Sequence, residues 1–242
     1  MRVEEGRMAT KQLLRDAITA LSARDMQKSV GPSDLSQKCD FCLGLKMTNK
    51  YTEFRPANYE LADRFGLKAW VGTGVHTQMD AGLSRLVEHH DTEQGDPILT
   101  VEGSFEIHEI PGYGMIKGHV DLVVHYAQGY LCVCDHKTTD KAKLKRYKLY
   151  GIPDSYVFQT NMYGYGVAKL LDIEPNDVAI NFIPRDSNNL EDTWQCFAPY
   201  NRAIAEMALE RAERVWAIVR DGGLFSLEQD PDCWDCGNRY GV

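Results

Sequence analysis

Apolar residues recur along this chain with two periods, 3.6 and 2, and the switches between them divide it into elements. Leu14, Ile18 and Leu21 share one face of a predicted helix over residues 10–24, after which Gly31-Pro32-Ser33 breaks the chain. Val75, Met79, Leu83 and Leu86, spaced by four, four and three, predict a second helix from Thr73 to about His89, with Gly72-Thr73-Gly74 as its start. The period then changes. Leu99, Val101, Phe105 and Ile107 alternate with Thr100, Glu102, Ser104 and Glu106, the pattern of a half-buried strand. A Pro111-Gly112-Tyr113-Gly114 turn leads to a strand over Met115–His125, and Ala127-Gln128-Gly129 to a third over Tyr130–His136. Pro153 and Ser155 precede a helix to about Leu171. Strands at Val178–Ile183 and near Trp194–Phe197 follow, then a helix over Asn201–Val219 that turns Ile204, Ala208, Val215 and Val219 inward.

Consecutive strands joined by short turns, then alternation with helices, predict an α/β fold whose mixed sheet has antiparallel strands at its middle. No repeats or linkers interrupt the 242 residues, which suits one domain. A hydrophobic fraction of 43% and a charged fraction of 26% exclude a disordered chain. The net charge of −8 excludes coating nucleic acid by bulk charge and leaves room for a local basic strip. There is no long apolar run and no apolar leader, so a soluble, cytoplasmic protein without a membrane partner is expected. The odd count of seven cysteines suits a reducing compartment; Cys132, Cys134 and Cys196 read as small core residues. No phosphate-binding glycine loop and no Gly-x-Ser-x-Gly is present, which argues against nucleotide cofactors and the commonest serine hydrolases.

The candidate chemistry gathers in two adjacent strands. Gly118-His119-Val120-Asp121 places a carboxylate in an otherwise apolar run, and Asp135-His136-Lys137 places a second at a strand end. Residues two apart share a strand face, so Asp135 and Lys137 point the same way. Two carboxylates held together repel unless a proton or cation joins them, and a hard divalent ion is the usual solution. The plain alternative is a buried salt bridge to Lys137. The basic run Lys141, Lys143, Lys145, Arg146 and Lys148 follows directly. It reads either as a solvated loop or as a path for DNA phosphates, with Tyr147 and Tyr150 stacking on unpaired bases.

In this order the residues resemble the PD-(D/E)XK nuclease family in its RecB-like branch, over residues 72–170. Gly74-Val75-His76 resembles the branch's histidine motif. Gly118-x-x-Asp121 with Asp135-x-Lys137 resembles the nuclease core, and Gln159-x-x-x-Tyr163 the motif on the following helix. The resemblance implies a restriction-endonuclease-like mixed sheet flanked by helices, with a nuclease core over about 72–185. It implies Mg²⁺ or Mn²⁺ held by His76, Asp121, Asp135 and the backbone carbonyl of His136. Lys137 would be the catalytic lysine, and Gln159 and Tyr163 positioning groups. Glu102 is a reserve acidic ligand, because Glu106 lies on the same face.

Cys39-x-x-Cys42 and Cys233-x-x-Cys236 supply four thiolates, the number that either a tetrahedral zinc or a 4Fe–4S cluster requires. Two unrelated pairs of free thiols are the alternative. Iron–sulfur members of the branch, including CRISPR-associated and phage exonucleases, favour the cluster. The two-plus-two spacing departs from their one-plus-three arrangement and keeps zinc open. A shared metal would join segments 33–50 and 225–242, each too short to pack alone, at one four-cysteine centre. The implied activity is a metal-dependent DNA exonuclease acting on single-stranded ends, 5′ to 3′, in recombination, repair or phage DNA processing. A helicase or recombination partner would supply unwinding. The rivals are a non-catalytic nucleic-acid-binding adaptor and an endonuclease of the same fold.

Overall fold

The alternating stretch around Val101 forms an edge strand, β1 (Ile98–Ile110). The computed structural model describes residues 29–50, 67–233 and 236; the predicted helix over residues 10–24 lies outside them. β1 turns through Gly112 into β2 (Gly114–His125), where φ of +79° and +125° at Gly112 and Gly114 favours residues without a Cβ. A second turn, in which the Gly129 N–H donates to the Tyr126 carbonyl, leads to β3 (Leu131–Thr139). These three strands are antiparallel neighbours. β4 (Asp177–Pro184) runs parallel to β3, and β5 (Trp194–Pro199) antiparallel to β4, so the five strands cross the sheet in chain order.

Among the described residues six α-helices flank this sheet. They are α1 (Pro32–Leu35), α2 (Asp40–Met47), α3 (Leu67–Val87), α4 (Lys141–Tyr150), α5 (Asp154–Leu171) and α6 (Arg202–Arg220). A parallel neighbour requires a crossover, and α4 and α5 supply it between β3 and β4. On one face Phe105, Ile107, Val120 and Val133 pack against Met162 and Val167 of α5, with α6 and α2 behind. Farther along that face Leu144 and Tyr147 of α4 pack on Ile180 and Phe182. On the opposite face Leu83 of α3 packs against Leu122, Cys132, Cys134 and Ala179. α5 crosses β1 so closely that a Cβ at Gly166 would stand 2.3 Å from the Phe105 ring.

The structure departs from the sequence expectation at four places. α3 begins by Leu67, so Gly72-Thr73-Gly74 lies within the helix instead of starting it. A helix tolerates interior glycine at about 1 kcal/mol, and at Gly72 the missing Cβ allows approach to Thr138, whose Oγ1 would lie 3.1 Å from it. The basic run is the helix α4, not a loop, because Asp140 caps it by accepting from the Lys143 N–H at 2.7 Å. Cys196 and Ile204 are only half-buried; the inward row of α6 is Ala205, Ala208, Leu209, Ala212, Val215 and Val219, one step from Ile204. Finally, residues 33–50 make core contacts of their own beside the four-cysteine group. Phe41, Leu43 and Leu45 are buried, and Arg211 of α6 donates to the Asp40 carboxylate and to the carbonyls of Leu35 and Gln37.

Candidate active site

β2 and β3 pair only from Leu122 opposite Cys134 to His125 opposite Leu131, whereas β3 continues against β4 as far as Thr139. The strands part at the next residues, and the fork contains the two motif carboxylates. Asp121 bridges it, its Oδ2 accepting the His136 N–H at 2.5 Å. Its Oδ1 lies 3.5 Å from His76 Nδ1, on α3. Burial pushes the Asp121 carboxyl up, but the contacts from His76 and the His136 N–H outweigh it and leave its pKa below the usual value. His76 is held up in turn, first by Asp121.

Asp135 is deeper, with 3% of its surface exposed. Lys137 Nζ stands 3.0 Å from its Oδ1 in hydrogen-bond geometry and 2.7 Å from its Oδ2 outside that geometry. Burial lifts the Asp135 pKa to about 6; Lys137 opposes the rise and the Asp121 charge adds to it. The ammonium of Lys137 also sits 5.6 Å from the centre of the Tyr156 ring, a cation–π contact that restricts where its stem can go.

Gln159 and Tyr163 lie one turn apart on α5, both buried, with the glutamine amide donating to the tyrosine hydroxyl at 2.8 Å. Tyr163 packs edge-on against Phe105, and a Cβ at Gly118 would come within 3.3 Å of its ring. Its pKa is raised by burial, then by the Asp135 charge, so its hydroxyl remains a neutral donor beside that carboxylate.

Two residues missed by sequence reasoning belong to this cluster. Asp80 stands one helical turn from His76, and its buried Oδ1 has no hydrogen-bond partner. Asn181 on β4 contacts His136 Nδ1 at 3.1 Å. The reserve ligand Glu102 also falls here. Val101 pairs with Leu122 and Gly103 with Val120, so Glu102 stands opposite Asp121. Its φ of +51° is a strained backbone for a glutamate within a strand. Burial holds its carboxyl protonated to higher pH than usual, followed by the charges of Asp80 and Asp121. Glu102 and Glu106 are both exposed, but Glu106 pairs with Lys117 at 3.6 Å instead of facing the fork carboxylates.

The fork therefore collects Asp80, Glu102, Asp121, Asp135 and His76 around one place. Asp80 Oδ1 is a buried oxygen without a hydrogen-bond partner, Asp135 Oδ2 faces the Lys137 ammonium at 2.7 Å, and neighbouring carboxylates crowd the site. That donor set fits a hard divalent cation. The backbone N–H of His136 serves Asp121, and its buried imidazole carries a partnerless Nε2.

The five basic residues proposed for DNA contact are all exposed on α4. Lys141 pairs with Asp192 at 2.7 Å, Lys143 lies over the Tyr147 ring and Lys148 over the Trp194 ring. Tyr147 is buried among Tyr156 and Phe182 and so cannot stack on a base, whereas Tyr150 is 83% exposed. The four cysteines of the sequence pairs come together far from the fork in sequence, with their sulfurs within 4.8 Å of one another.

The model of the PD-(D/E)XK nuclease superfamily matches residues 3–239. No curated protein matches the chain. Among solved structures, that of SSO0001 is 16% identical, with TM-score 0.52, covering 96% of this chain and 93% of that one. An alkaline exonuclease, LHK-Exo from Laribacter hongkongensis, is 11% identical with TM-score 0.51, covering 82% and 91%. Its complex with dAMP is 10% identical with TM-score 0.50 over the same shares. At these identities the likeness is one of fold.

Proposed function

Because the chain belongs to the PD-(D/E)XK nuclease superfamily, we propose that it is a divalent-metal-dependent deoxyribonuclease whose reaction centre is the fork between β2 and β3. The observation that carries this reading is the Asp135–Lys137 pair: a carboxylate with 3% exposure whose two oxygens lie 3.0 and 2.7 Å from the lysine ammonium.

His76, Asp121, Asp135 and the His136 carbonyl would hold Mg²⁺ or Mn²⁺, with Asp80 and Glu102 as further oxygen donors. The ion, when bound, supplies positive charge beside the scissile phosphate. Lys137 orients the attacking water and stabilises the negative charge that grows on the phosphate oxygens; as the water oxygen bonds to phosphorus, the bond from phosphorus to the leaving oxygen breaks. Tyr156 limits the lysine to the space above Asp135, and Gln159 and Tyr163 form a donor pair on the α5 side of the site. α4 follows β3 directly, so Lys141, Lys143, Lys145, Arg146 and Lys148 lie where a phosphate backbone would enter.

The substrate reading is single-stranded DNA ends, degraded from the 5′ end during recombination, repair or phage DNA processing. A helicase or recombination protein is the fitting partner, within a reducing cell interior. LHK-Exo is an alkaline exonuclease and one of its structures is a complex with dAMP, which supports this choice by analogy.

A time course on end-labelled linear single-stranded DNA beside a closed single-stranded circle, with Mn²⁺ and with chelator, tests the reading. Ion-dependent loss of the linear strand with the circle spared is expected. Cutting of the circle would identify an endonuclease instead, and binding without cutting of either would leave an adaptor.

A further inference from the structure

The four-cysteine group is built on a smaller scale than the cluster that the family resemblance implies. Cys42 Sγ stands 3.2 Å from Cys236 Sγ and 3.5 Å from Cys233 Sγ, and Cys39 Sγ 3.5 Å from Cys236 Sγ. All four sulfurs lie within 4.8 Å of one another. Four thiolates around one zinc ion form a tetrahedron with edges of about 3.8 Å, given Zn–S bonds of about 2.3 Å. In a 4Fe–4S cubane each thiolate binds a different iron and points outward from its own corner, with irons and sulfides between. Those sulfurs must stand farther apart than four ligands that share one ion.

The surrounding chain keeps the small scale. Cys39 is the N-cap of α2, and its Sγ accepts the Cys42 N–H at 3.5 Å, so the first pair sits on the first turn of a helix. That turn does not float. Phe41 and Leu43 beside it are buried, the Phe41 N–H donates to the Glu228 carbonyl at 3.2 Å, and a Cβ at Gly44 would stand 2.5 Å from Leu227. On the other side the Cys233 N–H donates to the Asp230 carbonyl at 2.9 Å, a tight turn that delivers the second pair. With both backbones held by these contacts, the sulfurs rest nearer the spacing of one shared ion than that of a cubane.

We infer that Cys39, Cys42, Cys233 and Cys236 hold a single tetrahedral zinc ion, and that this ion anchors the C-terminal tail onto an α2 already docked in the core. Four thiolates on one ion leave no open position for substrate, so this site is structural.

The test uses the full chain, purified once in air and once anaerobically, with no DNA present. Zinc, iron and acid-labile sulfide are quantified, the absorption spectrum is recorded, and thermal unfolding is followed before and after chelation. The expected result is a colourless protein with about one zinc per chain under both conditions. Cobalt(II) exchanged into the site should give the intense visible bands of a tetrahedral thiolate complex. Chelation should lower Tm and open the chain to protease after Leu227 while α2 stays protected. Cys233→Ser, placed on the half-buried tail side, should lose the zinc with the fold retained; Cys42→Ser, inside the core, serves as the harsher variant. A brown anaerobic protein with about four irons and four sulfides per chain would overturn the proposal. So would a stable cluster after reconstitution of the apoprotein with iron and sulfide, or the absence of any cysteine-bound metal. None of these outcomes touches the nuclease reading, since none is read through cleavage.

Discussion

Replacing Asp135 by asparagine should stabilise the metal-free protein at pH 8 while removing cleavage. The carboxyl is almost wholly buried, and burial lifts its pKa from the ordinary 3.8 to about 6, against the opposing pull of Lys137 and with the help of the Asp121 charge. A rise of about two units corresponds to roughly 3 kcal/mol between the charged and neutral forms. The folded state binds this proton more tightly than the unfolded chain does. The contribution to stability is therefore fully present below pH 3.8 and is lost as pH rises through about 6. Asparagine has the shape of the neutral acid and keeps at pH 8 what the aspartate has lost. Side-chain relaxation and water entering the fork reduce the gain to about 1–3 kcal/mol, or roughly 2–4 °C in Tm for each kcal/mol in a domain of this size. Urea unfolding in chelator at pH 8, 6 and 4 measures it. The gain should be largest at pH 8 and near zero at pH 4, and added Mg²⁺ should raise the Tm of the parent but not of the variant. An asparagine variant less stable than the parent in chelator at pH 8 would refute the reasoning. It would mean that the Asp135–Lys137 pair is a net stabilising salt bridge, and that the fork needs no cation.

Lys137→Ala should slow single-turnover cleavage by about 10²–10⁴-fold while anisotropy titrations in Ca²⁺ show DNA affinity within a few-fold of the parent; cleavage within tenfold of the parent removes the lysine from the chemistry. Glu102→Gln takes one charge from a strained, crowded position and should raise the Mn²⁺ concentration for half-maximal cleavage by about tenfold. An unchanged metal titration would assign Glu102 to solvent. Tyr147→Ala should cost about 3–5 kcal/mol of stability. Tyr150→Ala should leave stability within about 0.5 kcal/mol and weaken single-stranded DNA binding by about 1–3 kcal/mol. The opposite pattern would mean that α4 presents its other face.

The sheet and the motif order were legible because each left a periodic or spaced trace. Alternation over residues 99–107 marked β1, and the two-residue spacing of Asp135 and Lys137 is itself the strand period. Gln159 and Tyr163 were readable as one helical face, which their hydrogen bond bears out. α4 was not legible, because only Leu144 and Tyr147 face inward and two apolar residues among charges make no amphipathic pattern. For the same reason Tyr147 and Tyr150 were indistinguishable until the Phe182 cluster supplied a partner for one of them. Asp80 was hidden by its setting, an acid beside the apolar row of an amphipathic helix; its spacing of four from His76 was the available signal. Glu102 and Glu106 share a strand face in sequence, and it is the left-handed backbone at Glu102 that separates their fates.

The Arg211–Asp40 contact spans 171 residues, and the sulfur contacts of Cys42 span up to 194. A ribosome adding about 5–20 residues per second takes roughly 10–35 s to travel from Asp40 to Arg211. Throughout that interval Phe41, Leu43 and Leu45 have emerged with no α6 to cover them, and the first cysteine pair has no second pair to meet. The early part of this chain therefore waits with apolar surface uncovered until its distant partners are made. Yield in a cell should follow chaperone supply and translation speed more closely than the stability of the finished fold.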